Sequence, residues 1–486
     1  MRLSTKVAYN TIVQVASKVL TTILGLVAVA VMTRTLGKYG FGQYTTIMTF
    51  LSFFGVLADL GLTLVTTKMI SEPGADQKKL IDNLFTLRFF SALFFLGLAP
   101  LIVFFFPYAM VVKIGVSITT LSFFFIALNQ IFVGLFQSRL RMDKVSIAEV
   151  AGRSFLVLGV VLASVLGYGV LGMAIATVIA SAVNFLLHFI FGVKFIKIGF
   201  DFDFRLWVDI IKRSWPLTIT IIFNLIYLRA DTLILSLVKS QNEVGLYGAT
   251  YKVIDVLTMI PFMFAGLILP ILSKNWLEQS KDFFKRVSQR SFDLMAVLAI
   301  PLVVGTQFLA DDLMVIIAGE EFAVSGSILK ILILAVASIF IGCVFSHIIV
   351  AIDKQKKVIG AYVFTSITAL IGYLVLIPRF SYFGAAWVTI YSEVMIAIFA
   401  SICVWKYSNF FPNLKVFFKS LLSAALMALA LFFFYKISPE NIYLSISLAL
   451  LLSLVVYFSA LYFFKGISRD DILSLLNKND EESSIG

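Results

Sequence analysis

Lys18 interrupts an apolar run, and Asn10 and Gln14 precede it at intervals of four residues. At 3.6 residues per turn that spacing puts all three on one helix face, with Thr21 or Thr22 continuing it. A second polar face is formed by Thr220, Asn224, Tyr227 and Asp231, with Arg229 two residues before Asp231. Residues two apart point away from each other on a helix, so Arg229 and Asp231 are not expected to pair directly. A guanidinium stays charged at any working pH, and its planar fork fits two phosphate oxygens; an ammonium acts as a point charge. A charge inside a bilayer is costly, so each is a functional candidate. Lys18 and Arg229 read as anion-binding or coupling groups, with a structural ion pair as the competing reading. Carboxylates recur at Asp59, on a face with Thr45, Thr49 and Ser52, at Asp255, beside Tyr251 and Thr258, and at Glu393. With Asp231 they are candidates for ion coupling or for structural pairing with Lys18, Arg229 or Arg153, because burial raises a carboxyl pKa and a nearby cation lowers it.

Other chemistries find no support. His188 and His347 are far apart, and Cys343 and Cys403 both lie in apolar stretches, so neither type makes a metal motif or a disulfide framework. Arg153, Lys330, His188 and His347 fall near the ends of apolar stretches, where long side chains snorkel to water. No phosphate-cradling loop and no Ser-His-Asp set is present, so an ATP-driven pump and a hydrolase are disfavoured and no cofactor or metal is expected. The acidic group Asp311, Asp312, Glu320 and Glu321 reads as a solvated edge.

The elements that must position these residues are membrane helices. Apolar stretches run over residues 9–31, 43–66, 86–106, 114–136, 148–166, 171–193, 215–237, 253–273, 292–310, 328–350, 358–377, 383–404, 417–435 and 443–464. Each is roughly 18–25 residues, enough to cross a hydrocarbon core of about 30 Å. A chain of 486 residues that is 60% hydrophobic and only 14% charged, with 49 Phe, lies outside the range of soluble domains. The expectation is an all-α polytopic membrane protein of about 14 transmembrane helices.

The net charge of +12 does not point to nucleic acid. Most basic residues gather in alternate gaps between the stretches, which places both termini in the cytoplasm and brings the basic loops to anionic headgroups. The first stretch is too long and too polar for a cleaved signal and reads as a retained helix. Loops 194–214 and 274–291 contain the amphipathic strings Trp207–Arg213 and Phe283–Arg290, which would lie on the membrane surface or link bundles. The tail has too little apolar content to fold.

An internal repeat supports two halves. Tyr39-Gly40-Phe41-Gly42-Gln43-Tyr44 follows the first stretch, and Val244-Gly245-Leu246-Tyr247-Gly248-Ala249 follows the seventh. Met142-Asp143-Lys144 follows the fourth, and Ile352-Asp353-Lys354 the tenth. An even offset of six helices gives a parallel repeat about an axis along the membrane normal. The expected organisation is a six-helix bundle over 1–200, a second over 201–410 beginning with a cytoplasmic linker, two further helices over 411–466, and a cytoplasmic tail over 467–486.

The strings Thr33-Arg34-Thr35-Leu36-Gly37-Lys38-Tyr39-Gly40-Phe41-Gly42-Gln43-Tyr44, Asp59-Leu60-Gly61-Leu62, Arg229-Ala230-Asp231-Thr232-Leu233-Ile234-Leu235 and Gly245-Leu246-Tyr247-Gly248-Ala249 carry a resemblance. In their order and spacing the chain resembles the polysaccharide-biosynthesis flippase family, within the multidrug/oligosaccharidyl-lipid/polysaccharide (MATE-like) exporter superfamily. The resemblance implies a V-shaped pair of bundles around a cationic cavity in a cytoplasmic membrane. It implies a polyprenyl-pyrophosphate-linked oligosaccharide moved from inner to outer leaflet by alternating access, without hydrolysis. Lys18 and Arg229 would hold the pyrophosphate; Asn10, Gln14, Asn224, Tyr227 and Tyr251 would hydrogen-bond sugar hydroxyls. Membrane lipids, a polysaccharide polymerase and a chain-length regulator are the implied partners, and the self-contained bundles suggest a monomer. The competing functions are a drug or cation antiporter of the same superfamily, which favours an acidic cavity, a flippase for another headgroup, and a polymerase or ligase. The last would need cations in a large external loop, and these loops are short.

Overall fold

A computed structural model of the chain describes residues 3–59, 61–62, 69 and 76–466. The expected tail, the end of the second stretch, Leu60 and the side chain of Thr220 lie outside the described residues. The long helices are α1 (Leu3–Asp59), α2 (Gln77–Ile102), α3 (Met110–Ser138), α4 (Met142–Val165), α5 (Gly169–Val193) and α6 (Phe204–Val238). They continue as α7 (Gln241–Leu277), α8 (Lys281–Ala318), α9 (Val324–Ala351), α10 (Ile359–Ser408), α11 (Lys415–Lys436) and α12 (Ile442–Phe463). Among the described residues, 12 helices are long and apolar enough to cross a membrane. The chain is a multi-span membrane protein.

Two expected pairs of stretches are continuous. The stretches 9–31 and 43–66 share the 57-residue α1, which breaks at Gly37 (φ 60°, ψ −177°). Glycine adopts positive φ without the clash a Cβ would bring, so one residue replaces a loop. The stretches 358–377 and 383–404 share the 50-residue α10, broken at Ser381 (φ 53°, ψ −136°). Serine is strained at that φ. Its Oγ donates to Glu243 Oε1 at 2.5 Å, which offsets part of the cost. The two expected surface loops are also shorter than read. Trp207–Arg213 lies in the first turns of α6 and Phe283–Arg290 in those of α8. α6 starts early because Asp203 caps it, accepting from the backbone N–H groups of Arg205 and Leu206, each at 3.1 Å.

The described chain falls into two compact units, Met1–Lys252 with Ile317–Phe322 and Tyr362–Val388, and Val253–Ile316 with Ala323–Ala361 and Thr389–Gly486. In lipid there is little hydrophobic drive for helices to associate, so close packing and interhelical hydrogen bonds must hold them. In the first unit a Cβ on Gly159 would stand 2.9 Å from the Ala176 Cβ, so α4 and α5 meet closely there. α3 and α5 are joined by Ser122 with Ser181 at 2.6 Å and by Asn129 Nδ2 donating to Asn184 Oδ1 at 2.9 Å. Phe132, Phe136, Leu84, Leu128 and Ile210 fill the core between α2, α3 and the start of α6. In the second unit, Ala296, Val297, Met427, Leu431, Ala449 and Tyr457 pack together, and the Tyr457 hydroxyl donates to the Val297 carbonyl at 2.8 Å.

The strand-like linker before α6 is held by the start of α2. Asp82 Oδ1 accepts from Gly199 N–H at 2.8 Å, Thr86 Oγ1 from Asp201 N–H at 3.0 Å, and Asn83 Oδ1 from Asp203 N–H at 2.8 Å and Trp207 Nε1–H at 3.0 Å. Asn83 is completely buried and its Nδ2 also reaches Asp201 Oδ2 at 2.7 Å. Asn83→Ala leaves several of these groups unpaired and should lower stability by about 2–3 kcal/mol, read as a fall in thermal midpoint in detergent. The hydrogen bond from Lys79 and the N–H groups at the start of α6 hold the Asp203 carboxyl below the usual carboxylate range. A depressed folded pKa adds stability that is fully present above the unfolded value, near about 4, and is lost as pH falls through the folded value. Asp203→Asn should therefore remove that acid-side part of the pH–stability profile and leave its slope above pH 5 unchanged.

Candidate functional site

The turn between α6 and α7 sets the first group of site residues. Glu243 accepts from Ser240 N–H at 3.0 Å and Ser240 Oγ at 2.9 Å, closing the turn. Tyr247 and Tyr251, one helical turn apart, then face α6. Their hydroxyls donate to Asp231 Oδ2 at 2.7 and 2.5 Å, while Oδ1 accepts from Thr232 N–H at 2.5 Å and Thr232 Oγ1 at 3.1 Å. Asp231 is completely buried. The Arg229 guanidinium lies over the Tyr251 ring, 5.3 Å from its centroid. Tyr251 thus touches both the cation and the carboxylate. Asn224 Nδ2 donates to the Tyr227 hydroxyl at 2.7 Å; the Tyr227 carbonyl accepts from Tyr373 at 2.8 Å, and its ring stacks on Tyr362.

The α1 face divides in two. Asn10 is buried, and its Oδ1 accepts the Met142 N–H at 2.8 Å, one of the donors that a helix start leaves without an intrahelical partner. Gln14 and Lys18 are exposed. The Lys18 side chain forms no hydrogen bond or ion pair with any described residue, so the structure does not join it to Arg229.

The carboxylates take different partners. Asp59 forms an ion pair with Arg88 of α2, which is only 1% exposed. Arg88 is missed from sequence because the third stretch reads from 86, whereas α2 begins at Gln77 and carries it well inside. The signal was available, since Asp59 and Arg88 flank the same gap. Asp255 is half-buried, and its carbonyl accepts from Thr258 Oγ1 at 3.1 Å. Glu393 is buried, and its Oε1 has no hydrogen-bond partner among the described residues. Lys330 pairs with Asp311 at 2.5 Å, Asp312 accepts from the Tyr435 hydroxyl at 3.3 Å, and Glu321 accepts from Lys38 N–H at 3.3 Å. These three acids have partners, while Glu320 and Glu321 are exposed as a solvated edge would be. His188 and His347 each bond through Nδ1 to the carbonyl four residues earlier, at 2.9 and 2.8 Å. Cys343 and Cys403 are buried free thiols. Arg153 lies about 16 Å along α4, which starts at Met142 rather than near 148.

The two glycine-bearing strings of the repeat meet. A Cβ on Gly42 would overlap the Gln241 carbonyl, one on Gly245 the Lys38 carbonyl, and one on Gly248 the Thr45 side chain. The second segment of α1 and the start of α7 therefore cross backbone to backbone. Thr46 Oγ1 donating to Gln241 Oε1 at 2.9 Å and Arg34 Nη1 donating to the Ile317 carbonyl at 2.9 Å fasten the surroundings.

This architecture is similar to that of solved transporters. The lipid II flippase MurJ, in an inward closed conformation, superposes with a TM-score of 0.78 at 17% identity, covering 92% of this chain and 98% of that one. An inward-facing multidrug resistance MATE family transporter of the MOP superfamily gives 0.69 at 14% identity, covering 82% and 98%. Two Haloferax volcanii proteins are similar in sequence. The "Probable flippase AglR" is 23% identical over 279 residues, 56% of each chain. The "Probable low-salt glycan biosynthesis flippase Agl15" is 23% identical over 235 residues, 47% of this chain and 48% of that one. The chain thus spans about half the length of the curated relatives it matches. Residues 7–276, with the α1 face, the glycine crossing and the Arg229–Asp231–Tyr251 group, match the polysaccharide biosynthesis protein family, and the chain belongs to that family.

Proposed function

We propose that this protein is a flippase that carries a polyprenyl-pyrophosphate-linked oligosaccharide from the inner to the outer leaflet of the cytoplasmic membrane by alternating access. The observation that carries the proposal is Lys18, a membrane-span cation left exposed and unpaired by the described residues. Such a charge is costly in lipid and needs a wet cavity or an anionic ligand. Arg229, held against Tyr251, would be the second cation for a pyrophosphate. Gln14, Asn224 and Tyr227 would meet sugar hydroxyls, while the Asn10 oxygen and the Tyr251 hydroxyl already serve helix contacts. The relatives named as flippases support the class of cargo.

Finer features belong to the same proposal. The breaks at Gly37 and Ser381 divide α1 and α10 into segments that each suffice for a crossing, which supports 14 crossings, two six-helix bundles over 1–200 and 201–410, and two added helices. Both termini would be cytoplasmic. The protein would act without catalysis, as a monomer, beside a polymerase and a chain-length regulator. A second reading, an ion-coupled antiporter, is favoured by Glu393, a buried carboxylate with one oxygen that no described residue hydrogen-bonds.

The test is flipping of a short-sugar polyprenyl-pyrophosphate in proteoliposomes. Lys18→Ala and Arg229→Ala should each slow wild-type flipping by about tenfold or more, the cost of one lost charge-assisted contact. If the wild-type protein leaves that lipid unmoved but exchanges a small cation for protons, the antiporter reading replaces this one.

A further inference from the structure

Two hydrogen bonds lock α1 and α4 in register. At one end Asn10 accepts from Met142 N–H at 2.8 Å, and at the other Thr35 Oγ1 meets Ser164 Oγ at 2.6 Å. Both contacts advance in the same direction along the two chains, so the helices run parallel. From the first contact Lys18 lies about 12 Å along α1, Glu149 about 10 Å along α4, and Arg153 about 16 Å. Glu149 is thus level with Lys18, and Arg153 stands about one turn further on.

The faces agree. On α4 the strongly exposed apolar residues Ile147, Phe155, Leu158, Leu162 and Val165 mark the lipid side. Arg153 is also exposed but points away from them, on the side that carries buried Ser146 and the Thr35-bound Ser164. Glu149, one turn before it, is half-buried. Neither residue, nor Lys18, forms an ion pair or side-chain hydrogen bond with any described residue. Three charges therefore lie within about one turn of each other along adjoining helices of the first unit, and none is paired by a described residue. A structural ion pair would have closed Glu149 on Arg153, since a Glu four residues before an Arg is the favoured helical orientation. That pair is open.

We infer that Arg153 joins Lys18, alongside Arg229, in binding the anionic phosphate group of the substrate, and that Glu149 trims the positive charge of the site. The inference rests on the flippase reading and adds the residues that would hold the headgroup within the first unit. The guanidinium would fork two phosphate oxygens while the Lys18 ammonium neutralises a third. Glu149 lowers the affinity that two cations alone would give, so that the headgroup can leave.

The test uses the full-length protein in detergent, with binding of a short-sugar polyprenyl-pyrophosphate measured and inorganic pyrophosphate as competitor. Arg153→Gln should weaken binding about tenfold, Arg153→Lys less, and Glu149→Gln should tighten it about threefold to tenfold. In a Lys18→Ala/Arg153→Gln double-mutant cycle the losses should be non-additive, because both residues touch one ligand. Thermal midpoints separate loss of fold from loss of site, and a Glu149→Gln variant that folds and binds more tightly supports the inference even if Arg153→Gln fails to fold. Wild-type affinity in both Arg153→Gln and Glu149→Gln overturns the inference while leaving the flippase reading intact. No binding by the wild-type protein overturns both.

Discussion

Gly42→Ala should abolish transport and lower the thermal midpoint, and Gly245→Ala should do the same. At each position the new methyl would occupy the place of a backbone carbonyl oxygen on the other helix, Gln241 for Gly42 and Lys38 for Gly245. A backbone carbonyl cannot rotate aside as a side chain can. The helices must separate, which breaks the Thr46–Gln241 hydrogen bond and the packing around it. Overpacking of this kind costs about 2–3 kcal/mol. The effect on transport should exceed the effect on stability, because any cycle that opens and recloses this crossing must reform it on every turn. Gly25→Ala is the control: a Cβ there meets nothing within 4 Å, and a helix-interior glycine replaced by alanine should gain about 0.5–1 kcal/mol. Thermal unfolding and flipping rates measured side by side on the three variants check this. Wild-type behaviour of Gly42→Ala would show that the crossing yields without cost.

Asp231→Ala should be the most destabilising single change near the candidate site, by about 3–5 kcal/mol. The carboxylate collects both tyrosine hydroxyls of α7 together with the Thr232 N–H and hydroxyl. Removing it takes from both buried hydroxyls the carboxylate they share and loosens Tyr251, on which Arg229 rests. Asp231→Asn keeps the shape but replaces one acceptor oxygen by a donor facing a donor, so it should recover only part of the loss. Tyr247→Phe deletes one of the bonds and should cost about 1 kcal/mol. The order of thermal midpoints, wild type above Tyr247→Phe above Asp231→Asn above Asp231→Ala, is the measurable outcome. An Asp231→Ala protein as stable as wild type would remove the case for this carboxylate as the link between α6 and α7.

Much of the architecture was legible before any coordinates. Length and hydropathy suffice to identify spans because lipid offers no partner for backbone N–H and C=O groups, so each apolar stretch must satisfy them internally as a helix. The same holds for Lys18, whose face with Gln14 follows from helical periodicity. Residues whose role depends on distant helices were not legible. Asn10 reads as a ligand for substrate, and nothing in its own segment shows that its oxygen also accepts from the start of α4, 132 residues away in sequence. Arg88 was hidden because helix starts are set by caps such as Asp76, which accepts from Lys79 N–H, and not by where hydropathy rises. α4 likewise starts at Met142, ahead of the rise in hydropathy near 148.

The glycine strings show the division most clearly. Their recurrence after the first and seventh stretches could be read from the sequence alone, as local letters at matching places. That they are the two sides of one crossing, each making room for the other's carbonyl, is decided only when α1 and α7 pack. Sequence by itself determined the class of solvent, the helices and which residues share a face, because the bilayer and the 3.6-residue period act on neighbours in the chain. Tertiary structure alone decided which charges find partners, as Asp59, Asp231 and Lys330 do, and which have none among the described residues, such as Lys18. That choice depends on which side chains distant in sequence come within hydrogen-bond reach, and no local pattern encodes it.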